Sequence, residues 1–284
     1  MTPRKANMPH DVLQYEGKRV IVTGAASGMG AATAEILIDL GAEVHAIDIK
    51  KPDLTGLASF TECDLRETAQ IDDAVNKIGP IVNALFNCAG LPNTFPNLDV
   101  MLVNFCGLRH LTEAVIPNMV EGSAISCIAS TAGIGWLQNM GLLFELLATP
   151  DYAVARAWCE AHPAELANAY GLSKEAINAY TAFRSFELAK RGIRINCINP
   201  GPTDTPMMPE FEKAVGKKYM DDFPVPLGRH AVAEEQAWPL VFVNSARASY
   251  VTGHQLDVDG GFKGGLFTGQ IDPSVLMPEG RRDG

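Results

Sequence analysis

A chain of 284 residues can hold one large α/β domain or two small ones, and either buries a sizeable core. Its hydrophobic share of 47% and charged share of 20% are ordinary for a soluble globular protein, and no apolar run is long enough to span a bilayer. A net charge of −10, with no basic run longer than a pair such as Arg281-Arg282, argues against a nucleic-acid partner. The six cysteines (Cys63, Cys88, Cys106, Cys127, Cys159, Cys197) form no CxxC pair and no zinc spacing. They read as small buried apolar residues of a reducing compartment, and no metal is expected. The N-terminus lacks the apolar core of a signal peptide, so a cytoplasmic location is expected.

In chain order, residues 1–16 read as a flexible polar arm. The stretch Lys18–Gly30, KRVIVTGAASGMG, begins with the apolar strand Val20–Val22 and runs into a loop holding Gly24, Gly28 and Gly30. A helix is predicted over Ala31–Leu40. Strand, glycine-rich turn and helix in that order make a dinucleotide site, because glycines let the backbone approach a pyrophosphate whose charge meets the free N–H groups of the helix. Strands follow at Val44–Asp48, Ser59–Asp64, Ile81–Asn87, Ala124–Ala129, Arg194–Asn199 and Gln255–Val258, with helices at Arg66–Ile78, Leu98–Pro117 and Leu166–Arg191. This alternation predicts a single doubly wound α/β domain of Rossmann type, residues 17–263, with a central parallel sheet and helices on both faces. The Gly- and Pro-rich tail, 264–284, is loose or folds over a neighbour.

Two segments break the rhythm. Residues 136–163 form a helical insertion with stretches at Leu142–Ala148 and Tyr152–Ala161, and residues 202–229 are rich in Pro, Met and Phe. Long inserts at the carboxyl ends of strands are where substrate contacts lie. Trp136, Met140, Met207, Met208 and Phe211 are the candidate substrate contacts, with core packing as their alternative role.

Asp48 ends the predicted second strand, where a carboxylate accepts hydrogen bonds from the adenosine hydroxyls and repels a 2′-phosphate, favouring NAD over NADP. A solvated strand-end carboxylate is the alternative, and Lys50 and Lys51 nearby could instead serve a 2′-phosphate. Tyr170 and Lys174 share a helix face in YGLSK. A phenol is a poor base near neutrality, with an ordinary pKa of about 10, but a cation one turn away and an oxidised nicotinamide stabilise its phenolate. Such a tyrosine exchanges a proton with an alcohol or carbonyl as hydride moves.

The ordered motifs TGAASGMG, Asp48, CDL (Cys63–Leu65), NCAG (Asn87–Gly90), VNFCG (Val103–Gly107), ASTAG (Ala129–Gly133), YGLSK and PGPTDT (Pro200–Thr205), with YVTG and DVDGG after them, resemble the short-chain dehydrogenase/reductases. The resemblance runs from about Lys18 to Gly261. It implies Tyr170 as general acid/base, Lys174 lowering its pKa and holding the nicotinamide ribose, Ser130 orienting the substrate oxygen, and Asn104 anchoring a proton-relay water. It implies Gly24, Ser27, Gly28, Met29 and Gly30 around the pyrophosphate and Asp64 and Leu65 beside the adenine. Asn87, Ala89 and Gly90 would pass under the adenosine ribose. Pro200, Gly201, Thr203 and Thr205 would lie toward the nicotinamide. Taken without the resemblance, Asn104 could cap or kink a helix, Ser130 could be a turn residue, and the threonines could cap the next helix.

Ser130 and Tyr170 stand 40 positions apart, farther than in most of the family, and the insertion fills the gap. It is similar to the one in the bacterial 3α-hydroxysteroid dehydrogenase/carbonyl reductase and coniferyl-alcohol dehydrogenase group, where it covers the helix face used for tetramers. A homo-oligomer, as a dimer through another surface, is therefore expected. The function implied is NAD-dependent interconversion of a hydrophobic alcohol, of hydroxysteroid or coniferyl type, with its ketone or aldehyde. The rival is a catalytically silent NAD-binding sensor or scaffold, which has no chemical reason to keep Asn104, Ser130, Tyr170 and Lys174 together. An epimerase or dehydratase on nucleotide sugars would use the same Tyr and Lys, but the chain is short for a sugar-binding domain.

Overall fold

Side chains alternate along the central strands and divide the core in two, as strand geometry requires. A computed structural model describes residues 11–276. The strands β1 (Arg19–Thr23), β2 (Glu43–Asp48), β3 (Ser59–Glu62), β4 (Val82–Asn87), β5 (Met119–Ile128), β6 (Arg194–Pro200) and β9 (Gln255–Val258) form one parallel seven-stranded sheet, ordered β3-β2-β1-β4-β5-β6-β9. Ile21, Leu85, Ile125 and Ile195 face one layer of helices, while Val20, Val22, Ala84, Phe86 and Ile198 face the other. The second layer holds α1 (Gly28–Asp39) and α10 (Ala233–Asn244). The first holds α2 (Thr68–Ile78), the composite helix of α3 (Asn97–Met101), a π-helical turn and α4 (Leu108–Val115), and α7 (Ala169–Ala189). The strand order reverses direction between β1 and β4, which opens a crevice at their carboxyl ends.

The expected strands and helices are present, with shifted ends. Helix α1 starts at Gly28, three residues before the prediction, so the last two glycines of the loop belong to its first turn. The long helix predicted from Leu98 is interrupted over Leu102–Gly107 by a wide π-helical turn. Such turns collect at functional sites, and this one carries Asn104. The insertion folds as α5 (Met140–Leu147) and α6 (Tyr152–Ala161). Asp151 caps α6 by accepting from Val154 N at 2.9 Å. The buried Arg109 of α4 donates to Leu146 O, Thr149 Oγ1 and Asp151 O, tying the end of α5 and the start of α6 to the body.

Segment 202–229 contains α8 (Met208–Val215) and α9 (Lys217–Asp221). Its base is closed by the pairing of β7 (Thr203–Asp204) with β8 (Ala231–Val232). Helix α10 is not among the elements expected from the sequence, because Pro239 lies inside it and breaks the pattern.

Two boundaries need correction. Of the arm, residues 1–10 lie outside the described residues. Tyr15 is 3% exposed and donates to Val241 O at 2.8 Å, so residues 11–16 pack on the domain instead of forming a free arm. The tail boundary at 264 falls inside α11 (Phe262–Phe267), and Val275 O accepts from the Tyr219 hydroxyl of α9 at 2.8 Å. The tail up to that point folds back on the chain's own 202–229 segment. No helix among the described residues is long and apolar enough to cross a membrane.

Candidate active site

The crevice begins with the turn between β1 and α1. At Gly24 φ is +67°, and a methyl group there would stand 2.7 Å from the Ala89 backbone, so the end of β4 passes directly against the loop. A methyl on Gly30 would lie 2.0 Å from Gly24 O, which closes the turn to any larger residue. Thr23 Oγ1 accepts from Cys88 N at 3.0 Å and Ala89 N at 3.1 Å, pinning the two loops together. This role of Thr23 is not among those expected from the sequence. A hydroxyl at the last position of a strand before the glycine loop was the available signal.

Ser27 precedes α1 in an extended conformation, and its side chain makes no capping bond. The first N–H groups of the helix are thus left for a ligand, and its first turn holds no acidic residue. The open helix end and the crowded glycines fit a pyrophosphate. Asp48 ends β2 as expected; its Oδ2 accepts from Ala26 N and its Oδ1 from Lys50 N, both at 2.9 Å. A carboxylate has about four acceptor sites, so hydroxyls can still bind it.

Beyond β3, the Arg66 guanidinium grips both oxygens of Asp64 and also Asp99, and holds the Asp64 carboxyl below its ordinary range. The Leu65 side chain is buried in the first core layer, and its carbonyl packs against Gly107 of the π-helical turn. Asn87 likewise turns its side chain inward, donating to Thr112 Oγ1 at 3.0 Å. Gly90 lies beside Asn104, whose carboxamide oxygen a methyl there would approach to 3.3 Å. At the end of β6, Pro200 is buried and Gly201 packs on Asp259. The Thr203 hydroxyl donates to Gly201 O at 2.9 Å and accepts from Gln236 Nε2, so it braces the turn. Thr205 is the threonine that reaches the glycine loop, its methyl 3.6 Å from a carbon built on Gly28. Met29 packs, partly buried, against the second core layer.

The catalytic candidates come from three elements. Asn168 caps α7 by accepting from Gly171 N at 3.2 Å, which places Tyr170 in the first turn. Lys174 follows one turn later, its ammonium nitrogen 5.4 Å from the Tyr170 ring centroid and donating to Ile128 O at 2.8 Å. Ser130 leaves β5 in extended conformation and accepts from Ala132 N at 3.1 Å, so its O–H remains a donor. In the π-helical turn, Asn104 accepts from Leu91 N at 2.7 Å and donates to Leu91 O at 3.0 Å and Ser173 Oγ at 3.3 Å. Ser173 in turn donates to Tyr170 O at 2.7 Å, a link with no signal in the sequence motifs.

Burial pushes the Tyr170 phenol up to about 12, and a hydrogen bond with Ser130 opposes that rise. Burial also pulls the Lys174 ammonium down to about 8. In the protein alone burial disfavours the charged form of both groups: the phenol stays an acid, while the lysine, at about 8, remains mostly cationic near neutrality. A phenol hydrogen-bonded to a serine can give or take a proton at an oxygen placed between them.

Of the substrate candidates, Phe211 meets the site directly, its ring 5.1 Å from that of Tyr170 and edge-on at 72°. Met207 immediately precedes α8, and Met208, at its start, is buried. Trp136 and Met140 pack partly buried against the first core layer, as Tyr170 does. Thr94, in the loop after β4, donates to Glu210 Oε2 at 2.9 Å and joins that loop to α8.

Two family models match the chain: "short chain dehydrogenase" over residues 18–141 and "Enoyl-(Acyl carrier protein) reductase" over residues 157–263. The gap between them falls on the insertion. Among curated proteins, the chain is 33% identical over 250 residues to a coniferyl-alcohol dehydrogenase of Pseudomonas sp., covering 88% of this chain and 98% of that protein. It is 32% identical over 253 residues to the 3-alpha-hydroxysteroid dehydrogenase/carbonyl reductase of Comamonas testosteroni, covering 85% and 95%. The 3-alpha-hydroxysteroid dehydrogenase of Pseudomonas sp. B-0831, solved with NADH, superposes with a TM-score of 0.75 at 27% identity over 90% of this chain and all of that one. The parallel sheet, the crevice beside the glycine turn, the Tyr170–Lys174 pair and these matches agree: the chain belongs to the short-chain dehydrogenase/reductase family, oxidoreductases that use a nicotinamide cofactor on small alcohol and carbonyl substrates.

Proposed function

We propose that the protein is an NAD-dependent dehydrogenase that interconverts a hydrophobic alcohol and its ketone or aldehyde, with Tyr170 as general acid/base. The observation that carries this reading is the cluster of Ser130, Tyr170 and Lys174 with the Phe211 ring against the tyrosine. The cofactor, when bound, supplies or accepts the hydride. Ser130 orients the substrate oxygen with the O–H it otherwise gives to the phenol, and Tyr170 transfers the proton. Lys174 supplies a cation that favours the phenolate once charge develops, and binds the ribose. Asn104, held by Leu91 and Ser173, anchors the far end of a proton path. Asp48 favours NAD over NADP by accepting from the ribose hydroxyls. The Phe, Met and Trp side chains of the two inserts favour a hydroxysteroid or a coniferyl-type aryl alcohol, in keeping with the activities named for the relatives above.

The insertion, tied to α4 by Arg109, covers the helix layer that carries α4 and α7, so we infer a dimer formed through another surface. Buried free thiols suit a cytoplasmic setting.

The test is NADH absorbance against hydroxysteroids, coniferyl and cinnamyl alcohols and plain secondary alcohols, with NADP run in parallel. Turnover with NAD that falls at least about 100-fold in Tyr170→Phe, with cofactor binding retained, is the expected result. NAD binding without turnover on any alcohol would overturn it in favour of a sensor.

A further inference from the structure

Glu175 follows Lys174 on α7, yet it takes no part in the chemistry above. Its side chain is 9% exposed, and burial raises its pKa while a bond from Asn139 opposes the rise. Its Oε2 accepts from Asn139 Nδ2 at 2.7 Å. Asn139 is the residue before α5, nine positions after Ser130. Between them the chain lies flat on α7. A methyl on Gly135 would stand 2.7 Å from Glu175 Oε1, and one on Gly133 would stand 2.7 Å from the Lys174 carbonyl carbon. One turn further along, Asn178 Nδ2 donates to Gly133 O at 3.2 Å. The segment that starts at Ser130 and carries Trp136 to the edge of Met140 is thus held against the catalytic helix at its middle and its far end. Its far fastening is a desolvated carboxylate, where a hydrogen bond is stronger than in water.

We propose that Glu175 is a positioning residue: through Asn139 and the backbone at Gly135 it fixes the 130–139 segment on α7 and so sets where Ser130 and Trp136 stand relative to Tyr170. This rests on the dehydrogenase reading. Its consequence is selective, because the segment borders the substrate side while the dinucleotide crevice is built from β1, β2 and β4. A displacement of about 1 Å in a reacting arrangement costs on the order of 100-fold in rate.

The experiment compares Glu175→Ala, Glu175→Gln, Asn139→Ala and the Glu175→Ala/Asn139→Ala pair in the full chain. Glu175→Ala and Asn139→Ala are expected to lower kcat/KM for the alcohol by about 10- to 100-fold, with the NAD dissociation constant changed less than twofold. The pair should be no worse than either single change. Glu175→Gln keeps an oxygen for the Asn139 amide and should recover most of the activity. A second readout is independent of turnover: in a Trp158→Phe/Trp238→Phe background, Trp136 emission should shift with Glu175→Ala and return with Glu175→Gln. Unchanged kcat/KM and emission in Glu175→Ala would overturn the proposal, as would loss of NAD binding and thermal stability in parallel with activity, the mark of a purely structural role. If the parent chain turns over no alcohol but Trp136 emission still follows Glu175, the dehydrogenase reading fails and the positioning stands.

Discussion

Asp48 shapes the loop of the crevice, and on the proposed reading it also selects the cofactor. Its two oxygens already hold the N–H groups of Ala26 and Lys50, so it shapes the glycine loop before any ligand arrives. A hydrogen bond to a charged acceptor contributes about 1.5–3 kcal/mol, and each 1.4 kcal/mol is a factor of ten in affinity. Asp48→Ala should therefore raise the KM for NAD about tenfold or more and leave NADP less affected, so that the ratio of the two kcat/KM values moves toward NADP. Equal loss with both cofactors would mean that Asp48 acts only through the loop. Thr203 teaches the reverse lesson: its hydroxyl is taken up by Gly201 and Gln236, so it supports the wall of the crevice without facing into it.

At the scale of elements, a buried cation ties the middle of the insertion to the body. Arg109 is 7% exposed and satisfies the carbonyls of Leu146 and Asp151 where α5 ends and α6 begins. Further along, Tyr152 of α6 donates to Arg66 O at 2.8 Å, linking the insertion to the loop after β3. Replacing Arg109 by Ala removes its bonds to Leu146 O, Thr149 Oγ1 and Asp151 O, leaving those carbonyls only the donors of Thr149 and Ala155, at a cost of about 1.5–3 kcal/mol. Urea denaturation should show that loss, and limited proteolysis should find its first cleavages in residues 136–163. An unchanged midpoint would show that packing alone holds the insertion. The glycine turn is as sensitive for a steric reason. The carbon added by Gly30→Ala would overlap Gly24 O, so that variant should lose about 1–3 kcal/mol and cofactor affinity together.

The whole molecule carries a large set of buried thiols, and they set its response to alkali. Burial lifts Cys63 to about 11, and Cys88 and Cys127 each to about 12, from an ordinary 9.0. Groups raised in the folded state contribute stability that is complete below the unfolded value and lost as pH climbs toward the folded one. Lys174 works in the opposite sense. It falls from 10.5 to about 8, the unfolded chain binds the extra proton between those values, and stability rises with pH there. Several thiols outweigh one lysine, so the urea midpoint should decline from about pH 9 to 11. A midpoint that is flat or rising over that range would show that these thiols titrate at their ordinary values.

The strand–helix alternation, the glycine turn, Asp48 at a strand end and the Tyr170–Lys174 spacing are local patterns of period 2 or 3.6, and the chain displays them without its fold. So the architecture, the crevice and the family were all legible in the sequence. Other features depend on what arrives from a distance. Helix α10 forms despite Pro239 because its Leu240 and Val241 are buried against the sheet, a tertiary gain that outweighs a local break. Tyr15 is drawn from the polar N-terminal stretch because an acceptor more than 200 positions away meets its hydroxyl. The contact of Phe211 with Tyr170, the turning-in of Asn87 and Thr203, and the hold of Glu175 on Asn139 were likewise decided only by folding. Each joins side chains on elements whose approach is set by packing, for Thr203 through Gln236, and no periodicity along the chain encodes it.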